Sequence, residues 1–176
     1  MRQLALLDVP AKRRSSTLAF NPKEFKAQVM RECPTAAEMQ LCDTPDKAAA
    51  YWRSNVVSHP YFNADVECFV TILLNTRRKI QGHHLVSTGI LDTILVHPRE
   101  VFRVAMICAS AAVVLMHNHP SGDPTPSEAD IKVTRDLIRA GQLMKIEVLD
   151  HIFIGQPSSE KPSGFVSLRD LGYFYS

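Results

Sequence analysis

Runs of apolar residues along the chain predict the strands of a sheet. The run 66–74 is apolar on both faces and rich in β-branched residues, which is typical of a strand buried on both sides. The stretches 111–115 and 147–154 are further runs of this kind. A basic turn at 76–79 separates the first run from 80–88, and we expect these two segments to form a hairpin.

Between the strands, apolar positions recur at three and four residues, which predicts amphipathic helices. We expect helices over 44–57, 98–110 and 127–143, with Thr44 and His97 as caps of the first two. The periodicity of the first helix places one face at Ala50, Tyr51, Ser54 and Val57. Because strands alternate with helices, the pattern indicates an α/β fold.

The stretch that joins the second apolar run to the third helix carries the candidate chemistry. It reads Met116-His117-Asn118-His119-Pro120-Ser121-Gly122-Asp123-Pro124-Thr125-Pro126-Ser127-Glu128-Ala129-Asp130. His117 and His119 are two apart, so at the extended end of a strand both side chains leave the same face. Asp130 follows in the first turn of the helix. Two histidines and one carboxylate give three protein ligands for zinc and leave a fourth position open, as in catalytic zinc sites.

Two structural alternatives compete with a metal site. The histidines could belong to a Pro-rich turn in which they only form hydrogen bonds. Ser127 and Asp130 could be no more than a helix cap of the Ser-x-x-acid type. Thr125-Pro126-Ser127-Glu128 offers a better cap, with Thr125 as N-cap and Pro126 at the first helical position. That cap would leave Ser127 and Asp130 free to face the histidines, and it favours the metal site.

Composition limits the class of protein. A chain of 176 residues with 45% hydrophobic content suits one domain, or one domain with an appendage. No apolar run is long enough for a transmembrane helix, and the first residues do not resemble a signal peptide, so we expect a cytoplasmic protein with no membrane partner. The four cysteines form no Cys-x-x-Cys pair, which argues against a zinc ribbon and favours reduced thiols.

Positive charge is concentrated at the beginning of the chain. Residues 1–32 hold seven basic and three acidic side chains, a net charge of +4, whereas the whole chain carries +2. The cluster Lys12, Arg13 and Arg14 could contact nucleic acid weakly. A solvated tail is the more common role of such a cluster. Residues 21–31 are predicted to form a short helix with Asn21 as its cap.

The spacing His-x-His, ten residues, Asp, with Ser three before the Asp, resembles that of the JAMM (MPN-plus, JAB) metalloproteases. The longer string His-Asn-His-Pro-Ser-Gly-Asp-Pro-x-Pro-Ser resembles the RadC branch of that superfamily. The resemblance implies a JAB/MPN-type fold over 44–176, a mixed curved sheet with packed helices and one Zn²⁺ near strand ends. Residues 1–43 are then a basic, partly helical extension.

The resemblance also implies roles for individual residues. Glu67, at the beginning of the first strand, matches the general base of the superfamily; its alternative is an exposed strand start. Ser127 is expected to donate a hydrogen bond to the oxyanion. Asp150 and His151 match a pair typical of RadC-like sequences. That pair could hydrogen-bond a metal ligand, or it could be a structural contact at an edge.

Three functional hypotheses follow. The set of candidate residues favours a zinc hydrolase that cleaves a peptide or isopeptide bond with a zinc-bound water. The alternative is a nucleic-acid-associated protein connected with DNA repair or mobile elements, as the RadC name suggests. Many RadC-like proteins carry a helix-hairpin-helix module that needs glycine, but the first glycine here is Gly82, which weakens this alternative. A scaffold that keeps the site for structure is the third. The sequence does not identify the substrate.

Overall fold

The computed structural model describes residues 39–89 and 96–174. The predicted helix at 21–31, the basic cluster at 12–14 and most of the predicted extension 1–43 lie outside the described residues. Within them, no helix is long and apolar enough to span a bilayer. The cysteines of this part, Cys42, Cys68 and Cys108, are free thiols.

The described strands form one mixed sheet. In chain order they are β1 (Cys68–Leu74), β2 (Ile80–Thr88), β3 (Ala112–Asn118), β4 (Glu147–Ile154) and β5 (Phe165–Ser167). Their order across the sheet is β2-β1-β3-β4-β5. β3 and β4 are parallel, and the other neighbours are antiparallel. The predicted α/β class and the predicted hairpin of β1 with β2 are confirmed.

Helices cover both faces of this sheet. They are α1 (Pro45–Tyr51), which continues into a π-helical turn (Trp52–Val56), then α2 (Pro98–Ile107) and α3 (Glu128–Met144). Thr44 and His97 cap α1 and α2 with their side chains, as predicted. Side chains alternate along β1 and β3, so each strand contributes to two cores. Val70, Ile72 and Met116 pack on the α1 side, whereas Phe69 and Leu115 pack with α2 and α3.

The predicted face of the first helix, which had Trp52 beside it, is correct for Tyr51 and Trp52, which are buried, and wrong for its other members. Ala48, Ala49 and Trp52 are buried, whereas Ala50 is exposed and Val57 is 48% exposed. The helix continues with a π-turn, in which Val57 N–H donates to Trp52 O at 3.1 Å, instead of the regular bond to the fourth residue back. A π-turn adds a residue to one turn and rotates the following side chains, so a uniform 3.6-residue period does not describe this segment.

Candidate metal centre

The candidate site lies where β1 begins and β3 ends, on the sheet face covered by α3. Phe69 and His117 are register partners on these strands, and their rings stack with centroids 5.9 Å apart. Glu67 directly precedes β1, so alternation places it on the same face as Phe69. His119 directly follows β3, and its N–H donates to Ile154 O at 2.8 Å, which keeps the chain extended beyond the strand.

Three side chains predicted as metal ligands meet at this point. The Nε2 atoms of His117 and His119 are 2.9 Å apart. Asp130 Oδ1 is 3.5 Å from His117 Nε2, and Asp130 Oδ2 is 3.9 Å from His119 Nε2. One donor atom from each residue lies within 4.8 Å of the others. The three residues therefore form a group that could hold a metal ion.

A chain of hydrogen bonds fixes which nitrogen of His117 carries its proton. Thr134 Oγ1 lies 2.6 Å from Asp130 O, a carbonyl that can only accept, so the hydroxyl proton is used there. His151 Nδ1, also 2.6 Å from Thr134 Oγ1, must then donate to it. His151 Nε2 is left with a lone pair, which accepts from His117 Nδ1 at 3.1 Å. Consequently the Nε2 of His117 presents a lone pair to His119 and Asp130.

The same logic applies to His119. Its Nδ1 lies 2.7 Å from the main-chain oxygen of Asp123, so Nδ1 carries a proton and donates it there. In the neutral ring, the form that binds a metal, Nε2 then carries the lone pair. The loop that supplies this oxygen is held by the loop after β4: Gln156 N–H donates to Gly122 O at 2.7 Å, and Lys161 Nζ donates to Asp123 Oδ1 at 2.9 Å. Hydrogen bonds from Thr125 and from Lys161 lower the pKa of Asp123 to about 2.

The donor set suits a cation. When both ligand rings are neutral, two Nε2 lone pairs face each other beside a carboxylate, and a positive charge between them relieves their repulsion. Burial, together with the neighbouring His119, lowers the pKa of His117 to about 3 against the attraction of Asp130. Burial also lowers the pKa of His151 well below its usual range. Both rings are therefore neutral, and for His117 this is the state in which imidazole binds a metal.

The predicted cap of the third helix is wrong. Ser127, not Thr125, is the N-cap of α3: its Oγ accepts from Asp130 N–H at 3.2 Å, and Ser127 N–H donates to Asp130 Oδ2 at 2.8 Å. Ser127 Oγ–H also donates to Asp130 Oδ2 at 2.5 Å. The two residues thus form a capping box. A helix cap and a metal ligand are therefore not exclusive roles for Asp130, because its Oδ2 accepts the capping hydrogen bonds while its Oδ1 faces His117.

A cleft of about 260 Å³ opens over the three candidate ligands. Glu67 and Ser127, the two predicted catalytic residues, line it together with them. Apolar walls surround these polar groups and are formed by Phe69, Val96, Ala129 and Val133. The structure therefore brings all five residues of the predicted site into one cleft, although Glu67 and Asp130 are far apart in the chain.

Of the pair Asp150 and His151, only His151 reaches this cleft. Neighbouring residues of a strand point to opposite faces, so Asp150 lies on the α1 side. Its carboxylate there accepts from Ser167 Oγ at 2.6 Å and from Arg169 N at 3.1 Å, and burial raises its pKa. The prediction that Asp150 supports a metal ligand is wrong, and its alternative, a structural contact, describes this residue. Alternation could have shown that one of the two must face away.

Two buried groups at the site were not identified from the sequence. Thr134, which ends the hydrogen-bond chain described above, is only 2% exposed, and Asn118 is 7% exposed. Thr134 lies four residues after Asp130 in α3, so the helical period could have shown that the two side chains share one face. The sequence held no comparable signal for Asn118.

Comparison with known proteins places this site in a family. A sequence model described as "RadC-like JAB domain" matches residues 42–173, three quarters of the chain. The chain belongs to this family. The suspected resemblance is thereby confirmed, and the RadC-like domain carries its candidate ligands where the mixed sheet ends.

Curated relatives of the RadC-like domain are named only UPF0758 proteins. That of Methanosarcina barkeri (strain Fusaro / DSM 804) is 47% identical over 107 residues, which cover 61% of this chain and 44% of the relative. That of Bacillus cereus (strain G9842) is 48% identical over 107 residues, 61% of this chain and 45% of the relative. That of Moorella thermoacetica is 54% identical over 91 residues, which cover 52% of this chain and 40% of the relative. The chain thus spans less than half the length of these relatives.

Proposed function

We propose that the RadC-like domain is a zinc-dependent hydrolase that cleaves an amide bond in a peptide or an isopeptide. The observation that carries the proposal is the pair of histidine Nε2 atoms, 2.9 Å apart and beside Asp130, in a cleft that Glu67 and Ser127 also line. The family supports it, because JAB domains include metalloproteases.

His117, His119 and Asp130 would hold the ion. Zinc bound by three such ligands lowers the pKa of water to about 7 and polarises a carbonyl group. The same donor types also bind iron(II) in oxygenases. Zinc is favoured because a carboxylate and a hydroxyl complete the set needed for hydrolysis.

The remaining residues would move protons and hold charge. Glu67 takes the proton of the attacking water and passes it to the leaving amine. Ser127 Oγ–H, which donates to Asp130 Oδ2 in the structure, turns to the carbonyl oxygen of the substrate as negative charge develops there. Its oxygen keeps the bond from Asp130 N–H, so the cap of α3 survives this rotation. The apolar walls of the cleft strengthen these interactions by excluding water.

The metal is tested first, on the full chain purified without added metal. Elemental analysis should find about one zinc per chain, and Asp130→Asn should lose it. Finding iron, or no metal in a protein that also fails to bind added zinc, would refute the zinc site.

Activity is tested by a screen of peptide and isopeptide substrates, with and without a chelator. Glu67→Gln keeps the shape of the side chain and removes its basic oxygen. We expect it to retain zinc and to lower the hydrolysis rate by roughly 10²–10⁴. The matched control is Glu128→Gln, which changes an exposed carboxylate in the first turn of α3. It should change neither the zinc content nor the hydrolysis rate. Release of zinc by Glu67→Gln, or an unchanged rate, would show that Glu67 is not the base.

A further inference from the structure

Asn118 stands between the two candidate histidine ligands in the sequence, but its side chain points elsewhere. Alternation along β3 directs it away from His117 and His119. It is 7% exposed. A buried amide has to find partners for its donor and its acceptor, and the identity of these partners indicates what the residue does.

Both partners of the Asn118 amide are main-chain groups that flank Glu67. Asn118 Oδ1 accepts from Cys68 N–H at 2.9 Å. Asn118 Nδ2 donates to Val66 O at 3.0 Å. The pairing of β1 with β3 ends at Phe69 and His117. The amide therefore takes the place of main-chain bonds that the sheet does not make beyond this point.

Glu67 itself is held from the other side. Its carbonyl oxygen accepts from Gly89 N–H at 2.9 Å, directly after β2. The chain before β1 is thus tied to β2 through Glu67 O and to β3 through Asn118. The tie through Asn118 connects the main chain on both sides of Glu67 to the strand that carries the candidate metal ligands.

We propose that Asn118 is a positioning residue, which fixes the main chain on both sides of Glu67 and thereby sets the place of its carboxylate relative to the metal. The proposal rests on the function proposed above. A base displaced by about 1 Å loses roughly 10²-fold in rate, so a rigid tie between β1 and β3 has a direct catalytic consequence. Asn118 contacts neither substrate nor metal in this scheme.

The tie itself is tested by amide hydrogen exchange on Asn118→Ala, which needs no substrate. The Cys68 amide should exchange faster than in the wild type. The matched control is Asn75→Ala, because Asn75 Oδ1 also accepts from two main-chain N–H groups, those of Arg77 and Lys79, at the far end of β1. This control should accelerate exchange at Arg77 and Lys79 and leave Cys68 unchanged. Unchanged exchange of Cys68 in Asn118→Ala would overturn the proposal.

The position of Glu67 is tested by NMR, again without substrate. Adding Zn²⁺ to the wild type should shift the side-chain signals of Glu67. The shift should be smaller in Asn118→Ala and of wild-type size in Asn75→Ala. Asn118→Ser, whose shorter side chain cannot span both partners, is measured beside Asn118→Ala in case the latter does not fold. Wild-type shifts in the Asn118 variants would overturn the proposal.

A double-mutant cycle separates positioning from general damage. With the substrate identified by the screen, Asn118→Ala should lower kcat by about 10²-fold and leave KM and zinc content near the wild type. Added to Glu67→Gln, it should lower the rate by no more than about twofold, because no base remains to be misplaced. If Asn118→Ala lowers the rate of Glu67→Gln by the same factor as it lowers the rate of the wild type, the positioning role of Asn118 is overturned. A wild-type rate in Glu67→Gln alone would instead refute the proposed function.

Discussion

Thr134→Val is the sharpest test of how the site controls its own protons. The valine keeps the shape of the side chain and removes the hydroxyl that donates to Asp130 O and accepts from His151 Nδ1. Thr134 and His151 are 2% and 1% exposed. Water therefore has little access to replace the lost partner, and the His151 proton has two alternatives.

In the first alternative His151 keeps its proton on Nδ1, which is then a buried donor without an acceptor. Such a group costs about 1–3 kcal/mol. In the second, the proton moves to Nε2, where it meets the proton on His117 Nδ1 across 3.1 Å. His117 must then carry its proton on Nε2, the atom that would bind the metal. The first cost is present with and without metal, so it lowers stability alone. In the second alternative metal binding has to restore the original tautomers against that cost, which agrees with the loss of about 10–100-fold, or about 1.4–2.8 kcal/mol, usually seen when the hydrogen bonds behind a metal ligand are removed.

The assay is a competition titration of Zn²⁺ against a chromophoric chelator, with thermal unfolding of the metal-free protein beside it. Thr134→Val should bind zinc about 10–100-fold more weakly and unfold at a lower temperature. Thr71→Val is the control, since Thr71 is fully buried on β1 and its Oγ1 has no hydrogen-bond partner within the described residues. It should leave both quantities unchanged or raise the stability. Wild-type zinc affinity together with a wild-type unfolding temperature in Thr134→Val would refute the proton assignment.

Two further predictions concern pH and nucleic acid. The folded-state pKa of His117 is about 3 and that of His151 lies well below 6.5, the ordinary value. The unfolded chain therefore binds protons that the folded metal-free protein does not bind. Stability, fully present above about pH 6.5, should fall as the pH drops towards 3, by about 1.4 kcal/mol per pH unit from His117, and His151 should add to this loss in the same direction. Urea unfolding at a series of pH values measures this slope, and a flat profile would contradict it. Any nucleic-acid binding should be weak, salt-dependent and carried mainly by Lys12, Arg13 and Arg14. Removing residues 1–20 should abolish it in a filter-binding assay and leave zinc binding intact, whereas binding that survives both this truncation and about 200 mM salt would favour the repair hypothesis.

The sequence determined the features that depend on local periodicity. Strand runs, helix runs and their order followed from apolar spacing, so the α/β class and most element positions were predictable. The shared face of His117 and His119 followed from the two-residue period of an extended chain. The spacing to Asp130 placed a carboxylate in the first turn of α3, beside the end of β3. The role predicted for Glu67 came mostly from the resemblance, because the sequence marks it only as a carboxylate at the start of an apolar run, with no period to give it a function.

Only the tertiary structure decided the contacts between segments distant in the chain. His151 reaches His117 because β4 pairs in parallel with β3, with a register shift between Val113 and Val114 that no local pattern encodes. Asn118 binds the chain around residue 67 because two strands, 50 residues apart, stop pairing at the same level. Ser127 became the cap instead of Thr125 because Asp130 can serve the cap and the histidines with different oxygens. In each case hydrogen-bond partners and strand register, which are set by packing of the whole sheet, determined the outcome.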